Sequence, residues 1–219
     1  MRNILRAVAA PMFAAAFILA TLAAPANADT TPGGTSESDA ELAQEWQTAY
    51  DTYHFTDNTP PAPGSGRSQV TNSISVVINA PASTTFCKYS DFNNHIGMNP
   101  FLKRVVTHKE WRAGATTYRN LTAIEEIPYE GTTVVSKTHA QQRLHPNKLY
   151  YETDSWSEPN VVTHQKITFT ALPGGKTKVT ENLTFEADDS LIDFVAANGT
   201  ASHQQLQQAL KQAIESGEL

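Results

Sequence analysis

The chain has 219 residues, with 16 basic against 22 acidic side chains and a formal net charge of −6. Such an acidic surface repels phosphate backbones and anionic membranes, which argues against nucleic-acid binding. Cys87 is the single cysteine, so no intramolecular disulfide can form. It reads as a small buried hydrophobe, with an intermolecular disulfide as the alternative.

The first elements read as appendages. A basic start (Arg2, Arg6), an alanine-rich apolar stretch from Ala7 to Ala24 and the Ala26-Asn27-Ala28 triplet have the order of a secretory signal, predicting cleavage after residue 28. The alternative is an uncleaved anchor. That needs about 20 strongly apolar residues, whereas this stretch is mostly alanine and is broken by Pro11. Cleavage leaves 191 residues with a net charge near −8, enough for one domain, in a secreted or periplasmic setting without a stable membrane anchor.

Residues 29–67 then read as a polar segment, a helix and a linker. Ser38-Asp39-Ala40-Glu41 has the pattern of a capping box. Leu42, Trp46, Ala49, Tyr50 and Tyr53 recur at helical spacing and form an aromatic face. That face either folds back onto the domain or, through Trp46, Tyr50 and Tyr53, offers a protein partner a contact surface. The Pro- and Gly-rich run from Asn58 to Gly66 is a linker.

From residue 68 to 219 the pattern is one α+β domain. Val70, Asn72, Ile74, Val76 and Ile78 alternate with a mainly polar set, predicting a strand, and Asn79-Ala80-Pro81 ends it. Two short helices, 82–89 and 92–97, come next. Six strands follow at about 102–112, 115–127, 131–143, 148–157, 161–172 and 176–187, punctuated by Gly, Pro, Asn and Glu turns. A helix from about 190 to 216 closes the chain, with Val195, Gly199, Ser202, Leu206, Ala209, Leu210 and Ala213 on one stripe.

This order, with the run Ile78-Asn-Ala-Pro-Ala-Ser-Thr-Thr-Phe-Cys-Lys-Tyr-Ser-Asp-Phe92, the Leu172-Pro-Gly-Gly-Lys176 hairpin and the helix from His203 to Glu215, resembles the START/Bet v 1-like (SRPBCC) superfamily of polyketide cyclases and lipid-transfer domains. The resemblance implies a helix-grip fold, in which a curved antiparallel sheet wraps around a long C-terminal helix. It also implies a cavity between the two that takes a small apolar ligand, lipid or polyketide-like. It implies no particular reaction, because function resides in the site and not in the fold.

The last hairpin can be read residue by residue. A three-residue turn at 173–175 pairs Leu172 with Lys176, Phe169 with Val179 and Ile167 with Glu181, so Gln165 becomes the diagonal neighbour of Glu181. One acid and one amide then sit on an otherwise apolar inner face, where a carboxylate must be paired, hydrogen-bonded or protonated. That face and the helix stripe give the candidate ligand-binding set Asn72, Gln165, Ile167, Glu181, Leu183, Val195, Gly199 and Ser202. The polar members are either a structural network or the groups that orient a ligand, with general-base action by Glu181 a further option.

No nucleophile elbow, His-Glu-x-x-His motif or phosphate-cradling glycine loop is present. His95, His108, His139, His145, His164 and His203 lack close metal-ligand spacing, so neither metal nor cofactor is expected. His139, Gln141 and Arg143 share one strand face. The leading expectation is an exported, noncatalytic carrier of a small apolar molecule. The alternatives are a cyclase- or dehydratase-like enzyme and a protein-interaction module.

Overall fold

The computed structural model describes residues 37–129 and 132–219. The expected signal segment, 1–28, and the polar stretch up to residue 36 lie outside the described residues. Among the described residues no helix is long and apolar enough to cross a membrane.

Helix α1 (Asp39–Tyr53) begins where the capping box places it: the Ser38 and Glu41 side chains each bond the other's backbone N–H. It ends at His54, whose left-handed φ of 46° stops the helix while its N–H bonds Tyr50. Strand β1 (Arg67–Ile78), helix α2 (Ala82–Tyr89) and a 3-10 turn (Phe92–His95) follow. Strands β2 (Leu102–Ala113), β3 (Thr116–Tyr129), β4 (Thr132–His145), β5 (Tyr150–Ser157), β6 (Val161–Leu172) and β7 (Lys176–Asp188) lead to the long helix α3 (Ile192–Ser216).

The seven strands form one antiparallel sheet in the order β1-β7-β6-β5-β4-β3-β2, so the first strand of the sheet joins the last. Two register shifts between β2 and β3 add the local bending that bulges bring. Helix α3 lies in the concave side of the sheet. Its Val195 and Ala196 pack with Ile74, Leu183 and Phe185, and its Leu210 and Ile214 pack with Val76, Ile78, Phe169 and Val179. Its buried stripe runs through Gly199, Gln207, Leu210 and Ala213. Leu206, expected in the core, is only half-buried.

The opposite face of the sheet is covered by α1, so the folded-back reading of its aromatic face holds, and the alternative of an open partner surface is corrected at Trp46, which is a core residue. Leu42 packs on Val106 and Ile124, and Trp46, Ala49 and Phe55 pack on Trp156 and Val162. The Trp46 indole donates to the Ala140 carbonyl at 2.8 Å and only 4% of the residue is exposed. Tyr50 stacks on Trp46 and Tyr53 on Trp156. The physical reason is local supply. The outer face carries Val106, Ile124, Trp156 and Val162, and each large apolar side chain taken out of water contributes about 1.5–3 kcal/mol. An adjacent aromatic helix meets that face at no association cost.

The same outer face holds His139, which stacks on Trp156 and shares the Thr122 hydroxyl with His108, and Arg143, which is paired with Asp154 and Glu152. Cys87 is exposed, contrary to the buried reading. Helix α2 turns Ala82, Thr85, Phe86 and Tyr89 inward, and at helical spacing position 87 falls on the other side.

Candidate ligand cavity

The Pro173-Gly174-Gly175 turn sets the register of the last hairpin. Gly174 and Gly175 both take left-handed φ, 78° and 72°. Leu172 pairs with Lys176 and Ile167 with Glu181, as expected, and Ile74 flanks Glu181 on its other side. Glu181 therefore sits between two aliphatic neighbours, 2% exposed.

Its compensation comes from two helices. The Tyr89 hydroxyl of α2 and the Gln207 amide of α3 (2.9 Å) donate to Oε1, and His203 Nδ1 of α3 lies 3.0 Å from Oε2. Burial pushes the Glu181 carboxyl up. The His203 hydrogen bond and charge, with the Tyr89 and Gln207 donors, outweigh burial and hold it below the usual carboxylate range. The ionised carboxylate requires the His203 proton on Nδ1, which leaves Nε2 as the ring nitrogen available to the cavity, an acceptor in the neutral ring and a donor in the charged one. Tyr89 and Tyr151 are pushed well above the ordinary phenol value by burial and by the Glu181 charge, so both stay protonated.

His203 is 23% exposed on its side chain and lines a cavity of about 200 Å³ between α3 and the sheet. Phe92, Phe101, Tyr151, Phe185 and Leu206 supply apolar walls, and Glu125, Asn99 and Ser155 add polar groups. His95 also lines it. Burial holds the His95 imidazole below its usual value, and its Nε2 is bonded to the Tyr89 carbonyl. A larger, more open groove of about 740 Å³ runs along α1 beside Val134, Val135 and Lys137. There Lys137 is neutralised by Glu37 and Glu45. The inner cavity is the stronger candidate, because the Glu181–His203 pair, with the second ring nitrogen outside that bond, opens into it.

Of the residues singled out from sequence, Gln165, Glu181, Gly199 and Ser202 line this cavity. Asn72, Ile167, Leu183 and Val195 do not. Asn72 donates to the Thr200 hydroxyl, and the other three are packed in the core at 0–1% exposure. Alternation places them on the inner face, but α3 lies directly on that part of the sheet. Gln165 does not hydrogen-bond Glu181; the amide that does is Gln207. Nor does Gly199 leave open room, because a Cβ there would stand 2.5 Å from the Phe185 ring.

Tyr89, His203, Gln207, Asn99 and Glu125 were missed. For two of them a signal existed: Gly199, His203 and Gln207 succeed one another at i, i+4 on the buried stripe of α3, where polar side chains need a partner. No protein-family model and no curated protein matches the sequence.

Solved structures do resemble the chain. The aromatase/cyclase Zhui from Streptomyces sp. R1128 has a TM-score of 0.55 at 12% identity, covering 67% of this chain and 94% of its own. A protein from Thermus thermophilus has a TM-score of 0.53 at 13% identity, covering 68% and 100%. Ara h 8.0201 has a TM-score of 0.52 at 16% identity, covering 68% and 99%. The class is thus an α+β helix-grip domain. The chain has the START/Bet v 1-like fold over about two thirds of its length.

Proposed function

We propose that the protein is an exported binder or carrier of a compact apolar molecule with one polar end, held beneath α3 with that end on His203 Nε2. The observation that carries this reading is the His203–Glu181 pair, braced by Tyr89 and Gln207 and opening into an otherwise largely apolar cavity. Apolar walls supply affinity, and a single prepositioned polar group supplies orientation. The volume of about 200 Å³ is below the roughly 300–1,000 Å³ of sites for drug-sized ligands, which favours a molecule of about one ring over an extended lipid or polyketide chain. Export rests on the basic, apolar, Ala26-Asn27-Ala28 order of the first residues.

An enzymatic reading has one specific support. A carboxylate-backed imidazole with a free nitrogen can take a proton from a bound molecule. Native mass spectrometry of the protein purified from its own host tests the carrier. A small adduct that leaves on denaturation, and is missing from His203→Ala, supports it. A bare chain for both argues against it. Turnover of a bound molecule by the parent and not by His203→Ala moves the assignment to the enzyme.

A further inference from the structure

The cavity contains a second carboxyl group whose surroundings are opposite to those of Glu181. Glu125 is on β3 and Glu181 on β7, four strands apart in the sheet order, and the curve of the sheet brings both to one cavity under α3. Glu181 receives three donors. Glu125 receives one among the described residues: Asn99 Nδ2 donates to its Oε1 at 2.6 Å. The orientation of that amide is fixed from its other end, because Asn99 Oδ1 accepts the Phe101 N–H at 2.9 Å. One carboxyl oxygen of Glu125 is therefore committed as an acceptor, and the other can carry a proton.

The ionisable neighbours around the cavity are Tyr89 from α2, His95 from the 3-10 turn, Tyr151 from β5, Glu181 from β7 and His203 from α3. Among the described residues no lysine or arginine lines it. Burial pushes Glu125 above the usual carboxylate range, and the Asn99 bond and the His203 charge offset this only in part. Two carboxyl groups in one cavity are thus driven in opposite directions, Glu181 toward the ionised form and Glu125 toward the neutral acid.

We propose that Glu125 is the second polar contact of the cavity and donates a hydrogen bond to a carbonyl-type oxygen, so that the preferred ligand is a compact apolar molecule with a hydroxyl at the His203 end and a carbonyl at the Glu125 end. This rests on the reading of the cavity as a small-molecule site. His203 Nε2 hydrogen-bonds the hydroxyl, which donates to the neutral ring and accepts from the charged one, Glu125 donates to the carbonyl, and the aromatic walls hold the ring between them.

The test is calorimetric titration of the full mature chain at about pH 6 with 4-hydroxyacetophenone, phenol and toluene. One added net hydrogen bond is expected to make 4-hydroxyacetophenone bind about three- to tenfold tighter than phenol. Glu125→Leu should erase that advantage while leaving phenol binding within about twofold, and Glu125→Gln, which keeps an N–H donor, should retain most of it. Equal affinity of the two phenols for the parent, a comparison that needs no variant, overturns the proposal. So does an unchanged ratio in Glu125→Leu. If toluene binds as tightly as phenol, or neither phenol binds, the His203 anchor fails and this proposal falls with it. Equal affinities in the parent with phenol still bound condemn the role of Glu125 alone.

Discussion

His203 Nδ1 stands 3.0 Å from Glu181 Oε2, joining the C-terminal helix to the last strand at the point where both face the cavity. The pair joins stability to binding, since the carboxylate that fixes the imidazole also fixes Tyr89 and Gln207.

Replacing Glu181 with Leu is expected to leave the Tyr89 hydroxyl, the Gln207 amide and the inner His203 nitrogen without an acceptor. Loss of one side of a buried pair costs about 3–5 kcal/mol. The midpoint of urea unfolding should fall accordingly. A variant as stable as the parent would mean that the network carries no net weight.

Gly199→Ala tests close packing. Alanine gains up to about 1 kcal/mol over glycine in a helix interior. Here its Cβ would meet the Phe185 ring at 2.5 Å, and forcing methylenes into a packed core costs about 1–3 kcal/mol. Net destabilisation is expected, reversed in Gly199→Ala combined with Phe185→Leu. Thermal melts of the single and double variants decide it.

Trp46→Ala should destabilise the domain by about 3–5 kcal/mol, as truncation of a packed aromatic does, with loss of the indole bond to Ala140 included. Denaturant unfolding followed by circular dichroism measures this. Unchanged stability would restore α1 to the status of a free arm.

The pH dependence of folding should report His139. Burial beneath α1, with Lys137 and His108 nearby, lowers its pKa to about 4. The folded value lies below the unfolded one of about 6.5, so the unfolded chain binds the proton first. The contribution is intact above about pH 6.5 and is lost as the pH falls toward 4. His139→Phe should flatten the decline in melting temperature across that window. A parent whose melting temperature is level there would contradict the assignment.

How far the sequence could be read depended on the range of the interaction. The β6–β7 register was legible because a proline and two glycines fixed the turn, and alternation did the rest, placing Ile167 opposite Glu181. The partners of Glu181 were not legible in the same way. Tyr89 lies 92 residues away and only the joining of β1 to β7 brings α2 near it. That α1 folds back was one of the two readings of its aromatic face, but where it lands was not legible, because Val106, Ile124, Trp156 and Val162 are interspersed with polar residues and no strand announces a second apolar side. Inner-face alternation also could not separate residues under α3, such as Leu183, from residues beside the cavity, such as Gln165.

The most direct measurement is the imidazole nitrogen spectrum of His203 in the protein during titration with phenol. The account predicts a saturable shift confined to Nε2, while Nδ1 remains protonated against Glu181. An unmoved Nε2, with shifts instead at Val134 and Val135 along the groove beside α1, would contradict it.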